Sequence, residues 1–142
     1  MLQIKLLRPE SKAPTRAHAS DAGLDLIHIG RKLTIKAGAK VKIATGFAMS
    51  IPLGNVAKVY PRSGLGTKQE LVLANLVGII DSDYRDEVFV TMKNNGSDDV
   101  VIEKGDRFAQ MVIQPVWLWS PQIVEKLPDS VRNTGGHGST GK

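Results

Sequence analysis

Val88-Phe89-Val90-Thr91-Met92-Lys93-Asn94-Asn95-Gly96-Ser97 is the stretch that decides the fold class. Val88, Val90 and Met92 alternate with Phe89, Thr91 and Lys93, and the run stops at a cluster of turn residues. A period of two sends successive side chains to opposite faces, the mark of a half-buried strand. Lys40-Val41-Lys42-Ile43 repeats the pattern. Turn chemistry recurs at Ala37-Gly38, Pro52-Leu53-Gly54 and Lys104-Gly105-Asp106, so the apolar runs are mostly short and regularly spaced. The expected class is all-β, a sandwich or a barrel. One short helix is expected from Ser63 toward Leu71, with Ser63 as its cap and Gly64 and Gly66 limiting its length.

Length and composition set the remaining bounds. A chain of 142 residues is the size of one domain. With 42% hydrophobic residues, no long apolar run and no block of like charge, it reads as soluble and globular, with no membrane span. Met1-Leu2-Gln3-Ile4-Lys5 lacks the features of a secretory signal, so a cytoplasmic location is expected. The absence of cysteine excludes disulfides and thiolate metal sites, and His18, His28 and His137 lack zinc-binding spacing. Any metal is then a hard one, bound through oxygen. The formal charge is +5, but the nineteen Lys and Arg residues are scattered, with Arg31-Lys32 the only adjacent pair; a solvated basic surface fits better than a nucleic-acid partner. The charge is uneven: residues 1–62 carry eleven basic and three acidic side chains (+8), residues 63–142 eight and eleven (−3). Facing copies of such a chain attract, and a small polyanion is drawn to the basic part.

No internal repeat or linker divides residues 1–127, which read as one β domain. Residues 128–142 are mainly polar or glycine and bury too little apolar surface to order themselves, which predicts a flexible tail. Gly135, Gly136, Gly138 and Gly141 let backbone N–H groups converge on an anion, and Arg132, Ser139 and Thr140 add donors, so the segment is either a frayed end or a phosphate strap. It is no Walker A loop, because the GK[ST] order and the following helix are missing. His137 is either an exposed histidine or a ring able to lie over a base.

Four further segments could carry chemistry. In Gly78-Ile79-Ile80-Asp81-Ser82-Asp83-Tyr84-Arg85-Asp86-Glu87 four carboxylates fall within seven residues; on a strand Asp81 and Asp83 would face the same way, whereas Asp-Ser-Asp is also common turn chemistry. Pro61-Arg62-Ser63-Gly64-Leu65-Gly66 sets an Arg and a Ser where a strand gives way to a helical turn, an anion site or an ordinary capped turn. Asp21-Ala22-Gly23-Leu24-Asp25-Leu26 puts an acid beside a strand start, and Gly105-Asp106-Arg107-Phe108-Ala109-Gln110-Met111 reads as a turn entering a core strand.

In this order, from about Ser20 to Gly141, the five segments resemble the five motifs of the trimeric dUTPase family. The resemblance implies a jelly-roll-like β-barrel and a homotrimer whose active sites are shared between subunits. It implies hydrolysis of dUTP to dUMP and pyrophosphate, with Asp81 as the general base for water attack at the α-phosphorus. Ile80 lies in the motif that lines the nucleoside pocket. Tyr84 would pack on the deoxyribose and exclude a 2′-hydroxyl, and Asn75 would hydrogen-bond uracil. Arg62, Ser63, Gly64 and Gln110 would hold the triphosphate, while Asp25 would reach Mg2+ through water, the ion itself being held mainly by phosphates. Arg132, Gly135, Gly136, His137, Gly138, Ser139 and Thr140 match the tail that closes over the site.

The chain departs from the family pattern at three places. His137 stands for the usual phenylalanine, and Asn133 and Asp86 stand where glycine is usual, both being types that tolerate positive φ. Two other readings share the fold, a dCTP deaminase and a catalytically silent nucleotide-sensing module. The pair Asp81 and Tyr84 with the glycine tail argues against the first, and intact Asp81 and Arg132 against the second.

Overall fold

The structure, a computed structural model, describes residues 1–131 and Asn133. Eleven strands and one helix are formed among them: β1 (Gln3–Leu6), β2 (Leu24–Ile27), β3 (Leu33–Ile35), β4 (Lys40–Ala44), β5 (Phe47–Ser50), β6 (Asn55–Pro61), α1 (Ser63–Gln69), β7 (Leu71–Leu73), β8 (Gly78–Ile80), β9 (Phe89–Asn94), β10 (Val100–Ile102) and β11 (Arg107–Pro115). They assemble into four sheets with the orders β1-β5, β10-β3, β2-β11-β6-β8 and β4-β9-β7. All pairings within them are antiparallel. The sheets wrap a single apolar core in the jelly-roll manner expected of the sequence.

The alternation of residues 88–93 has its packing consequence here. Val88, Val90 and Met92 are 3% exposed or less, while Phe89 lies 41% exposed on the other face. The second alternating stretch is the partner strand: β4 pairs with β9 in the register Lys40↔Lys93 to Ala44↔Phe89. Lys42 then stands over the Phe89 ring at 4.0 Å. Val88 and β9 join Leu26, Phe47, Leu71, Phe108 and Met111 in the core. The expected turns close at 37–38, 53–54 and 104–105, with Gly38, Gly54 and Gly105 all at positive φ.

The helix is shorter than expected and differently capped. Leu71 belongs to β7, and Glu70 ends the helix in the left-handed region at φ 51. Arg62, not Ser63, is the capping residue, with extended φ and ψ and no side-chain cap bond. Ser63 has already turned helical, so its carbonyl accepts the Thr67 hydroxyl at 2.6 Å. Among the described residues no helix is long and apolar enough to cross a membrane.

Asn94 ends β9 inside the core, fully buried. Its Nδ2 donates to Ile35 O at 3.0 Å and Asp98 O at 2.7 Å, and its Oδ1 accepts Gly96 N at 2.9 Å. One amide therefore satisfies three backbone groups drawn from β3 and the turn after β9. Each buried group left unpaired costs about 1–3 kcal/mol. Asn94→Ala should lose stability on the order of 3 kcal/mol in urea denaturation, comparable with the ~3–5 kcal/mol of Phe108→Ala; a loss below about 0.5 kcal/mol would contradict the role given to the amide.

Candidate active site

Strand β8 lies antiparallel to β6, with Ala57 opposite Ile80 and Val59 opposite Gly78. It stops at Ile80, so Asp81 and Asp83 do not share a strand face. The residues form a turn instead, closed by Tyr84 N donating to Asp81 O at 3.2 Å, as Asp-Ser-Asp chemistry favours. Arg85 braces it from outside through bonds to Ser82 O (2.7 Å) and Tyr84 O (2.9 Å). Asp81 and Asp83 are exposed, and with Ile80, Tyr84, Arg85 and Phe89 they line a cleft of about 650 Å³.

A second cavity of about 400 Å³ shares Ile79, Ile80, Phe89 and Thr91 with the first and is also lined by Asn75. Asn75 sits in the short turn between β7 and β8, whose tight bend sets Leu76 at φ 65 with its amide on Leu73 O at 3.0 Å. Side by side, the cavities offer an amide at one end, an apolar floor in the middle and exposed carboxylates at the other. Such a cleft can take a ring with hydrogen-bonding edges and hold water near a base.

A separate cluster of charges forms across β2, β11 and β6. Gln110 of β11 faces Asp25 of β2 on one side and Tyr60 of β6 on the other. The Asp25 carboxylate, 13% exposed, receives Arg62 Nε at 3.0 Å on one oxygen and Arg107 Nη1 at 3.0 Å on the other. Gln110 Nε2 donates to Pro61 O at 3.0 Å, fastening the end of β6 where Arg62 begins. Gly23 makes room for this side chain: a Cβ there would stand 2.7 Å from Gln110 Oε1. Ser63 and Gly64 follow Arg62 in the first turn of α1, exposed, with open space beside Gly64. Arg62 and Arg107 also line a cavity of about 310 Å³.

The predicted residues therefore gather into two groups, Asn75, Ile80, Asp81 and Tyr84 in the cleft, and Asp25, Arg62 and Gln110 with Ser63 and Gly64 nearby. Of the second group Arg62 lines a cavity, and it is a different one from those lined by the first. Arg132, Gly135, Gly136, His137, Gly138, Ser139 and Thr140 lie outside the described residues. Of the departures, Asn133 does adopt positive φ (42°), whereas Asp86 does not; its carboxylate instead accepts the Glu87 amide at 2.7 Å.

Two arginines that sequence reasoning passed over take part. Arg107 reaches Asp25 because it lies opposite Ile27, diagonally across from Asp25 on the same strand face. Arg8 forks onto Glu87, with Nη1 on Oε1 at 2.5 Å and Nη2 on Oε2 at 2.7 Å. The only signal in the sequence was the isolated charge itself, and the partners lie about eighty residues away.

Comparison with known proteins fixes the ancestry of this arrangement. The dUTPase family model matches residues 9–141. The chain belongs to the dUTPase family. It is 44% identical over 142 residues to the deoxyuridine 5′-triphosphate nucleotidohydrolase of Corynebacterium glutamicum, covering 99% of this chain and 95% of that one. The Clostridium acetobutylicum enzyme of the same name is 44% identical over 140 residues, covering 99% and 96%. Among solved structures, the dUTPase of Staphylococcus bacteriophage 80alpha with dUPNHPP superposes with a TM-score of 0.89 at 30% identity, covering 100% of this chain and 99% of that one. A dUTPase from phage phi11 of S. aureus, described with a structural Mg(II) ion, gives 0.83 at 28% identity over 91% of this chain and 99% of that one. The jelly-roll fold and the family expected from the five motifs are thus both borne out.

The Arg8 fork holds the Glu87 carboxyl below its ordinary value near 4.5, against the opposing effect of burial and with help from the Gly46 amide. A depressed carboxyl stabilises the fold above its unfolded value and loses that contribution as pH falls through the folded one. Melting temperature should therefore fall as pH drops below about 4.5, and Glu87→Gln, less stable at neutral pH, should show a flatter acid limb. Parallel melting curves for the two proteins would refute the assignment.

Proposed function

We propose that this chain is a dUTP diphosphatase, splitting dUTP into dUMP and pyrophosphate. The observation that carries the proposal is the cleft in which Asp81, exposed and in no ion pair among the described residues, stands beside Tyr84 and one shared wall away from Asn75. The motif resemblance and the names of the relatives supply the substrate. Asn75 and hairpin backbone groups receive uracil, whose donor and acceptor edge differs from that of cytosine. Tyr84 packs against the deoxyribose where a 2′-hydroxyl would stand. Asp81 orients a water and takes its proton as the oxygen attacks the α-phosphorus, and pyrophosphate leaves.

Charge on the triphosphate is met by Arg62, with Ser63, Gly64 and Gln110 as further donors. In the free chain Asp25 holds Arg62 and Arg107 in place, so two guanidinium groups are stored at one carboxylate. Among the described residues no cluster of three His, Cys, Asp or Glu could hold a metal. A lone carboxylate with hard oxygen donors suits Mg2+ carried largely by phosphate oxygens and water, with Asp25 acting through a water. Bound in that way, magnesium would neutralise developing charge on the phosphates. The segment with Arg132, Gly135, Gly136, His137, Gly138, Ser139 and Thr140 closes over the phosphates, residues 128–142 forming a tail distinct from the domain of 1–127.

The working unit in this reading is a homotrimer. Asp81 and Arg62 line different cavities of one chain, and in this reading a complete site takes one of the two groups from a neighbour. After β11 the chain also exposes Trp117 (82%), Trp119 (80%), Ile123 (100%) and Leu127 (75%), an apolar stretch of the kind that marks an interface. Light scattering should give three copies of 15.4 kDa, about 46 kDa.

Incubation with Mg2+ and dUTP, UTP, dCTP or dTTP should release pyrophosphate from dUTP alone and ammonia from none. Ammonia from dCTP would overturn the reading in favour of a deaminase. Asp81→Asn should keep nucleotide binding and lose turnover by roughly 10²–10⁴; near-normal turnover would remove Asp81 as the base. Deleting residues 132–142 should leave a folded trimer with little activity, and full activity would exclude the lid.

A further inference from the structure

The Asp81–Tyr84 turn is exposed, yet both of its groups must stand to a fraction of an ångström for the chemistry above. On one side it is held by β8. On the other, Val88 is pinned to the turn between β4 and β5: Val88 N donates to Phe47 O at 2.9 Å, and the Thr45 hydroxyl to Val88 O at 2.8 Å. Glu87 lies between the exposed turn and this anchor. Its backbone carbonyl accepts the Tyr84 hydroxyl at 2.9 Å, a direct bond from an element of the reading above to the anchor.

The Glu87 side chain is 10% exposed and fully engaged. Oε1 takes Arg8 Nη1 and the Gly46 amide (2.8 Å), and Oε2 takes Arg8 Nη2. The far end is equally fixed. The Arg8 backbone belongs to a turn closed by Ser11 N donating to Arg8 O (3.1 Å) and by Arg8 N donating to Ser11 Oγ (3.2 Å), and Leu7 N donates to Gly46 O at 2.9 Å. Gly46 has φ +78, and a Cβ on it would come 2.4 Å from Ser11 Oγ and 2.5 Å from Ile29 Cδ1, so the two turns meet without slack. A forked guanidinium–carboxylate pair fixes direction as well as distance.

We propose that Arg8 is a positioning residue: through its fork on Glu87 it sets where the Asp81–Tyr84 turn stands, and with it both turnover and selection of the deoxyribose. The inference rests on the roles given above to Asp81 and Tyr84. Arg8 lies outside the five motif segments and Glu87, at the end of one of them, has no binding role in the reading above; the pair acts only through Tyr84 and the turn.

The test uses the full chain with Mg2+ and either dUTP or UTP, in Arg8→Gln, Arg8→Lys, Glu87→Gln and Tyr84→Phe variants shown to be folded by melting curve at the assay temperature. Arg8→Gln should lower kcat for dUTP about tenfold or more with a smaller change in KM, and lower the dUTP-over-UTP ratio of kcat/KM by a similar factor. Arg8→Lys keeps the charge without the fork and should fall between. Tyr84→Phe should erode the same ratio, and combining it with Arg8→Gln should add little further, since both cut one chain of contacts. Should Arg8→Gln fail to fold, Arg8→Lys and Glu87→Gln carry the same comparison. A purely structural pair would lower the melting temperature and leave kcat and the ratio within twofold of the parent, and that result overturns the inference. If the parent itself hydrolyses no dUTP, the reading of the site falls; if the parent is active and the folded variants match it, only the role of Arg8 falls.

Discussion

Strand β11 is hydrogen-bonded along both edges, to β2 on one side and to β6 on the other, and most of what is chemical in this molecule depends on that double pairing. Its register sets Gln110 between Asp25 and Tyr60 and Ala109 against Pro61, so the end of β6 delivers Arg62 to the Asp25 carboxylate. The shift in pairing with β2 between Arg107 and Ala109 does the rest, letting Arg107 stand opposite Ile27 and reach Asp25 on the diagonal. A slip of one residue would turn each of these side chains to the opposite face. Phe108, Ala109 and Met111 prevent it, because they are fully buried and a slip would expose them.

The same sheet supports the cleft. β6 carries β8 on its free edge, and β8 runs between the turn with Asn75 at one end and the Asp81 turn at the other. An amide, an apolar floor and a carboxylate are thus set in a row by a three-residue strand. What holds the exposed end of that row is electrostatic: the fork of the partly exposed Arg8 on the buried Glu87 carboxylate, which also takes the Gly46 amide. A pair of this kind adds less to net stability than its geometry suggests, because both ions give up hydration, but breaking it leaves a buried charge uncompensated. Its value lies in direction.

Much of this was legible in the chain itself. The alternation of 88–93 and 40–43 announced two strands, and they proved to be partners; the turn glycines at 38, 54 and 105 lay where expected. The motif order announced the family. The helix cap was misjudged because Ser63 has the better capping chemistry, yet the chain is extended only through Arg62, so the helix starts one residue earlier than a serine cap requires. Asp81 and Asp83 could be strand or turn by local pattern, and the length of β8, limited by its pairing with β6, decided for the turn.

Local pattern and motif spacing in the sequence determined the all-β class and the family, since periodicity, turn chemistry and ordered motifs are properties of neighbouring residues. Only the tertiary structure decided that Arg107 joins Arg62 on Asp25, that Asp81 and Arg62 line different cavities, and that Arg8 forks onto Glu87 beside the Asp81–Tyr84 turn. These contacts join residues far apart in the chain, and strand register and burial, which no short stretch encodes, bring them together.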